Sequence, residues 1–327
     1  MKKVVISIVI ILFFVLAFLI GFNYTNLWAD DIETLQSPSK PPIKKIQSND
    51  TPSYKIGDQA IQKLEKRHGD LLYEGYNATS YEMDNTSTNI KKIVTFSVQK
   101  NTLSVKKTSR SNQFNSVVAD TALQQQLWQN FTAIIPAENR QMIVQFEIIT
   151  DGIDGILGYV QQLNNPQQWS LALDYKDAAN LNALYATIVH EYGHLFSLNS
   201  YEFSSLQQTG CKNYAPDEGC LKKSSYLNMY YDDFWKGTTI SEWREDSTIA
   251  DDSDIQSAFF ATHPGEFVTE YATSHPVEDF AESWMYFVLS EKPQRYTLSD
   301  DKILFFYNFP ELIQLRNTIL TNLVKRY

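Results

Sequence analysis

The chain has 327 residues, 43% of them apolar and 13% aromatic, with a formal net charge of −10. That length supplies one large domain or two modest ones with a real core, and the composition excludes a disordered chain. The acidic balance, with no basic stretch long enough to neutralise phosphates, argues against nucleic-acid binding.

Lys2 and Lys3 precede an uncharged apolar run from Val4 to Phe22. Nineteen residues rising 1.5 Å each span roughly 28 Å, close to a bilayer core. The lysines belong on the cytoplasmic side, which puts the rest of the chain outside. The run reads as an uncleaved signal anchor over residues 1–27, giving a single-pass membrane protein with its bulk extracytoplasmic. A cleaved signal peptide is the competing reading and gives a secreted protein, but no good small-x-small cleavage site follows Ala17. Residues 28–52 include Ser37-Pro38-Ser39-Lys40-Pro41-Pro42 and read as a linker.

Residues 53–115 read as a small N-terminal α/β region of unknown role. The spacing predicts a helix over Gly57–His68, and strands over Ile93–Val98 and Leu103–Val105 around a Lys100-Asn101 turn. Residues 116–327 form the informative part. A helix is expected over Ala119–Ile134, with Leu123, Leu127 and Phe131 on one stripe, and a strand over Met142–Thr150. Asp151-Gly152 and Asp154-Gly155 are turn chemistry; a calcium loop fits their spacing poorly. Strands follow over Ile156–Leu163 and Trp169–Asp174, then a long helix over Asp177–Leu198.

That helix carries His190-Glu191-Tyr192-Gly193-His194. At 100° per residue, Leu181, Ile188, Tyr192 and Leu195 form an apolar side, and the two histidines lie roughly 140–220° away among small residues. Spacing by four residues stacks the imidazoles one turn apart, so both can bind one ion. Glu191 stands to the side, where it can serve as general base to a metal-activated water. Gly193 leaves room for another backbone or a substrate. The pattern points to a zinc-dependent hydrolase. A catalytic zinc needs a third protein ligand and an open position. Ser197 and Ser200 stand where the metzincin pattern requires Gly and His, so that solution is excluded. Glu278 and Glu282 lie one turn apart on a helix opened by Pro276. Either carboxylate can take the metal, and the other can hydrogen-bond an imidazole. His263 and His275 are rival ligands.

His190-Glu191-Tyr192-Gly193-His194 followed by a helix with Glu278-Asp279-Phe280-Ala281-Glu282 resembles the glutamate-zincin peptidases, and in particular the catalytic domain of the anthrax lethal factor type. The resemblance covers roughly residues 117–198 and 263–327. It implies an α+β zincin-like fold: a small mixed sheet with an edge strand above the active-site helix, and a second, glutamate-bearing helix. It implies Glu278 as third zinc ligand beside His190 and His194, Glu282 behind an imidazole, and Tyr271, seven positions before Glu278, aimed at the developing oxyanion. The strand Trp169–Asp174 would then be the edge that pairs with an extended peptide. The implied activity is hydrolysis of peptide bonds in a peptide or protein substrate by a zinc-activated water, with Glu191 as base. Two other readings stay open: a zinc hydrolase of a non-peptide amide or ester, and a silent zincin scaffold that only binds.

Residues 200–262 depart from the pattern and read as an insertion, a lid or specificity loop near the cleft. They hold the two cysteines, Cys211 and Cys220, close in sequence and expected as a disulfide in an oxidising compartment.

Overall fold

In the computed structural model the described residues are 43, 52–72, 90–152, 156–237, 249 and 252–327. The expected span Val4–Phe22 and most of the linker lie outside them. Among the described residues no helix is long and apolar enough to cross a membrane.

The architecture is mixed α+β: one five-stranded sheet with nine α-helices among the described residues. Helix α1 (Lys55–His68) precedes the hairpin β1 (Lys91–Gln99) and β2 (Thr102–Thr108). Lys100 and Asn101 turn this hairpin at φ 47° and 68°, the left-handed pair that a two-residue hairpin with right-twisted strands needs. Helices α2 (Asn115–Ala119) and α3 (Thr121–Ile134) follow. Asp120 divides them, accepting a hydrogen bond from Leu123 N at 2.9 Å as the cap of α3. Strands β3 (Ile143–Thr150), β4 (Gly158–Gln162) and β5 (Trp169–Asp174) complete the sheet in the order β2-β1-β3-β5-β4. Only β3 and β5 run parallel; the other pairs are antiparallel.

One expectation is corrected here. The edge strand is β4, not Trp169–Asp174. The chain between them turns back through Leu163 N, which donates to Gln168 O at 2.9 Å, so β4 covers the open side of β5. All six residues of β5 are consequently buried, despite their apolar–polar alternation. β1 hydrogen-bonds to β3, so the β1–β2 hairpin shares one sheet with β3, β5 and β4. The physical reason is the sheet itself: β3 has two edges, and β1 takes the one that β5 does not.

Helix α4 (Leu181–Ser197) starts later than expected, because Asn180 caps it by accepting from Ala183 N at 3.2 Å. Leu181 therefore sits at the helix mouth and is 39% exposed rather than part of the core. The short pair β6 (Phe203–Ser205) and β7 (Cys220–Leu221) follows, with Cys211 and Cys220 joined as the expected disulfide. Then come α5 (Tyr226–Phe234), α6 (Ser253–Thr262), α7 (Pro276–Leu289), α8 (Leu298–Phe305) and α9 (Pro310–Arg326). The segment 200–262 is thus only partly a cleft loop. Tyr230 is fully buried, its hydroxyl 2.9 Å from Ser283 Oγ on α7, so α5 belongs to the core.

Behind α7 lies a buried ion pair. Lys302 Nζ is 2.7 Å from Asp279 Oδ2, both side chains fully buried, and Trp235 Nε1 donates to the same oxygen at 2.8 Å. Burial pushes the Asp279 carboxyl up, against the pull of Lys302, and pushes the Lys302 ammonium down, against Asp279. Removing one partner strands the other charge away from water. Lys302→Met is expected to cost about 3–5 kcal/mol in denaturant unfolding, far more than an exposed lysine would.

Candidate metal centre

From Leu184 to Ser197 every residue of α4 is buried, so both its faces are covered and not only the apolar one. The second cover is α7. At Gly193 an added Cβ would lie 3.0 Å from Trp284 Cδ1 and 3.2 Å from Ala281 Cα. A glycine suits this position because the backbone of α7 crosses there. Trp284 Nε1 seals the crossing by donating to Val189 O at 3.0 Å.

This crossing brings three ligand atoms together. His190 Nε2 and His194 Nε2 are 3.0 Å apart, and Glu278 Oε2 lies 3.2 Å from the first and 3.1 Å from the second. Four donors placed tetrahedrally at 2.0–2.1 Å around an ion would be about 3.3 Å apart, so the triangle is close to one face of such a site. The proton positions support the fit. Glu282 Oε1 lies 2.6 Å from His190 Nδ1, and a carboxylate there is acceptor-only, so Nδ1 carries the proton. In the neutral ring, Nε2 then turns its lone pair toward Glu278 Oε2 and His194 Nε2. Such a cluster of lone pairs needs a cation among them, a proton or a metal. The group His190, His194 and Glu278 could hold a metal ion.

The electrostatics follow the same geometry. Burial alone would lower the His190 pKa, but hydrogen bonds to Glu278 and Glu282 outweigh it and hold the ring well above its usual value. Burial would raise Glu278, but His194 and His190 hold its carboxyl well below the usual range. Glu191 is raised, chiefly by burial. It is not part of the triangle that could hold a metal: its Oε2 accepts from Val160 N on β4 at 2.9 Å. Tyr271 stands on a single 3-10 turn (Tyr271–Thr273), its ring centroid 6.0 Å from that of His190. Burial, reinforced by Glu278 and Glu191, pushes its phenol well above the usual value, so it carries its proton at neutral pH.

These residues line a cleft of about 570 Å³. Its lining includes β4, from Gly158 to Gln162, and Pro216, Asp217 and Glu218 of the disulfide-closed loop. His263 and His275, the rival ligands, lie outside the triangle. His263 stacks on Phe259 with centroids 4.0 Å apart, and His275 caps α7, its Nδ1 accepting from Val277 N at 3.3 Å. Asp151, Asp174 and Asp177 also come close together. Asp174 accepts from Lys176 N at 2.7 Å and Asp151 N at 3.1 Å, and Asp151 from Ile156 N at 2.8 Å, which is the turn role expected of Asp151.

Sequence reasoning missed three contributors: the Val160 amide, the Asp217–Glu218 wall, and Thr269, whose hydroxyl donates to Glu282 Oε2 at 2.7 Å. The strand amide and the wall carry no local signal, and although the Thr269 hydroxyl bonds locally to Ala272 N, its contact with Glu282 is made only by the packing of α7. No family profile, curated protein or solved structure matches this chain.

The metal-free chain should bind one divalent ion, and Glu278→Ala should abolish its retention in dialysis followed by metal analysis. Glu282→Ala should keep the ligands and weaken binding by about 10–100-fold. Because His190 must lose a proton held above its usual pKa, affinity should still climb as pH rises through 7. A flat pH dependence would contradict this proton count.

Proposed function

We propose that the chain is a zinc-dependent metallopeptidase of the glutamate-zincin kind. The observation that carries this reading is the convergence of His190 Nε2, His194 Nε2 and Glu278 Oε2 on one point, with Glu191 held apart on the β4 edge. Two imidazoles and one carboxylate suit zinc better than calcium or magnesium, which take oxygen ligands. A mixed sheet whose edge strand lies over the helix bearing His190 agrees with the zincin resemblance.

Zinc in that site supplies Lewis acidity and lowers the pKa of water towards about 7. The chain's own residues do the rest. The Val160 amide fixes one oxygen of Glu191 and keeps this carboxylate off the ligand triangle. Burial raises its affinity for a proton, which suits a base that must take one from water and pass it to a leaving amine. The Tyr271 phenol stays protonated, and by turning from its hydrogen bond to Glu278 it can donate to a carbonyl oxygen gaining charge. Glu282 holds the His190 ring by its Nδ1–H.

Peptide is the favoured substrate because of β4. Val160 N points away from β5 to reach Glu191, while Leu157 O and Leu163 N bond on the β5 side. By the two-residue period of a strand, the backbone groups of Gly158 and Gln162 also face outward, one on each side of Val160. An extended peptide can pair with them while its central bond lies beside Glu191. The cleft lies in the part of the chain that carries a disulfide, which agrees with an extracytoplasmic domain anchored by Val4–Phe22.

Glu191→Gln is the direct test. It should leave zinc content unchanged and reduce hydrolysis of a mixed peptide library by about 10²–10⁴-fold. Undiminished turnover would refute the mechanism. Zinc-dependent cleavage of small amides or esters, with every peptide left intact, would refute the substrate class.

A further inference from the structure

Behind the metal-holding residues runs a hydrogen-bonded path that ends on the turn bearing Tyr271. Thr269 stands at its junction. Its Oγ1 accepts from Ala272 N at 3.1 Å and donates to Glu282 Oε2 at 2.7 Å. A hydroxyl has one proton to give. Since the Ala272 amide already donates to Oγ1, that proton is directed to Glu282. Glu282 is fully buried, and its other oxygen accepts the Nδ1–H of His190 at 2.6 Å. The proton directions are consistent along the path: Ala272 N–H to Thr269, Thr269 O–H to Glu282, and His190 Nδ1–H to the same carboxylate.

The geometry points to Thr269 as a positioning residue that ties the orientation of His190 to that of the Tyr271 turn. The proposal rests on the zinc-peptidase reading above. Its physical basis is the soft terminal torsion of glutamate, which has broad rather than staggered preferences. Glu282 bonded only to His190 could turn about that torsion and carry the imidazole with it. Bonded at both oxygens, its plane is set. Thr269 suits the task because its β-branch stiffens χ1 and because it is itself buried. The same oxygen anchors Ala272, the residue after Tyr271, within the 3-10 turn Tyr271–Thr273. One hydroxyl thereby bonds to the supports of two groups in the cleft, a metal ligand and the phenol.

The test uses the full chain in detergent and reads zinc affinity by competition with a chromophoric chelator. Thr269→Val keeps the shape and deletes the hydroxyl; Thr269→Ser restores the hydroxyl without the methyl. Thr269→Val should weaken zinc binding by about 10–100-fold, the usual effect of losing a group behind a metal ligand, while Thr269→Ser stays near wild type. At saturating zinc, Thr269→Val should also lower kcat with KM little changed, because the turn holding Tyr271 is loosened. A folded Thr269→Val that matches wild type in zinc affinity and kcat would overturn the proposal while leaving the peptidase reading intact. Loss in both variants alike would also overturn it, by assigning the effect to packing of the methyl group. Wild-type protein that binds no zinc would overturn both readings. Should Thr269→Val fail to fold, NMR of the wild type decides: the Thr269 hydroxyl proton should exchange slowly, and rapid exchange with solvent would overturn the assignment.

Discussion

The close crossing of α4 and α7 at Gly193 is the constraint on which the site depends. A Cβ on residue 193 would press on Ala281 Cα and Trp284 Cδ1 at 3.2 and 3.0 Å, so any other side chain would make the facing atoms of α7 give by a few tenths of an ångström. The three ligand atoms span only 3.0–3.2 Å, one contribution coming from the far helix. A separation of even one ångström would remove Glu278 from the triangle. The Trp284–Val189 hydrogen bond and the buried Lys302–Asp279 pair hold α7 on either side of this contact.

Around the crossing, three glutamates share one chemistry and differ only in what they touch. Glu278 meets two imidazole nitrogens, and His194 and His190 keep it ionised. Glu282 meets an Nδ1–H and a hydroxyl, which makes it an acceptor at both oxygens. Glu191 meets a strand amide, and burial raises its proton affinity. A carboxylate's role is set by its donors: two lone-pair nitrogens call for a cation, two N–H or O–H groups for a fixed anion, and a single amide leaves capacity to accept a proton.

The rest of the fold serves as the frame for this arrangement. The β1–β2 hairpin extends the sheet on the side away from the cleft, and β4 closes the other side and supplies the rim. The segment 200–262 divides its work: α5 packs behind α7, while the loop closed by Cys211 and Cys220 brings Pro216, Asp217 and Glu218 to the cleft. The site is therefore lined by α4 and α7, by the strand β4 and by a covalently closed loop.

Much of the site was legible in the sequence because its pieces are local. The four-residue spacing of His190 and His194 needs only a helix, the spacing of Glu278 and Glu282 needs only another, and Pro276 marks where that one starts. The Lys100-Asn101 turn and the strands beside it follow from backbone preference alone. The choice between Glu278 and Glu282 was open from the residues themselves, since both lie on one face a turn apart; the crossing at Gly193 aims the first at the imidazole nitrogens and the second behind His190. Alternation in Trp169–Asp174 was compatible with an edge, and only the return of β4 decided that the strand is interior. Thr269 and the Val160 amide were invisible for the same reason. Their partners, Glu282 and Glu191, are brought to them by packing between distant segments, and no periodicity in the chain records such a meeting.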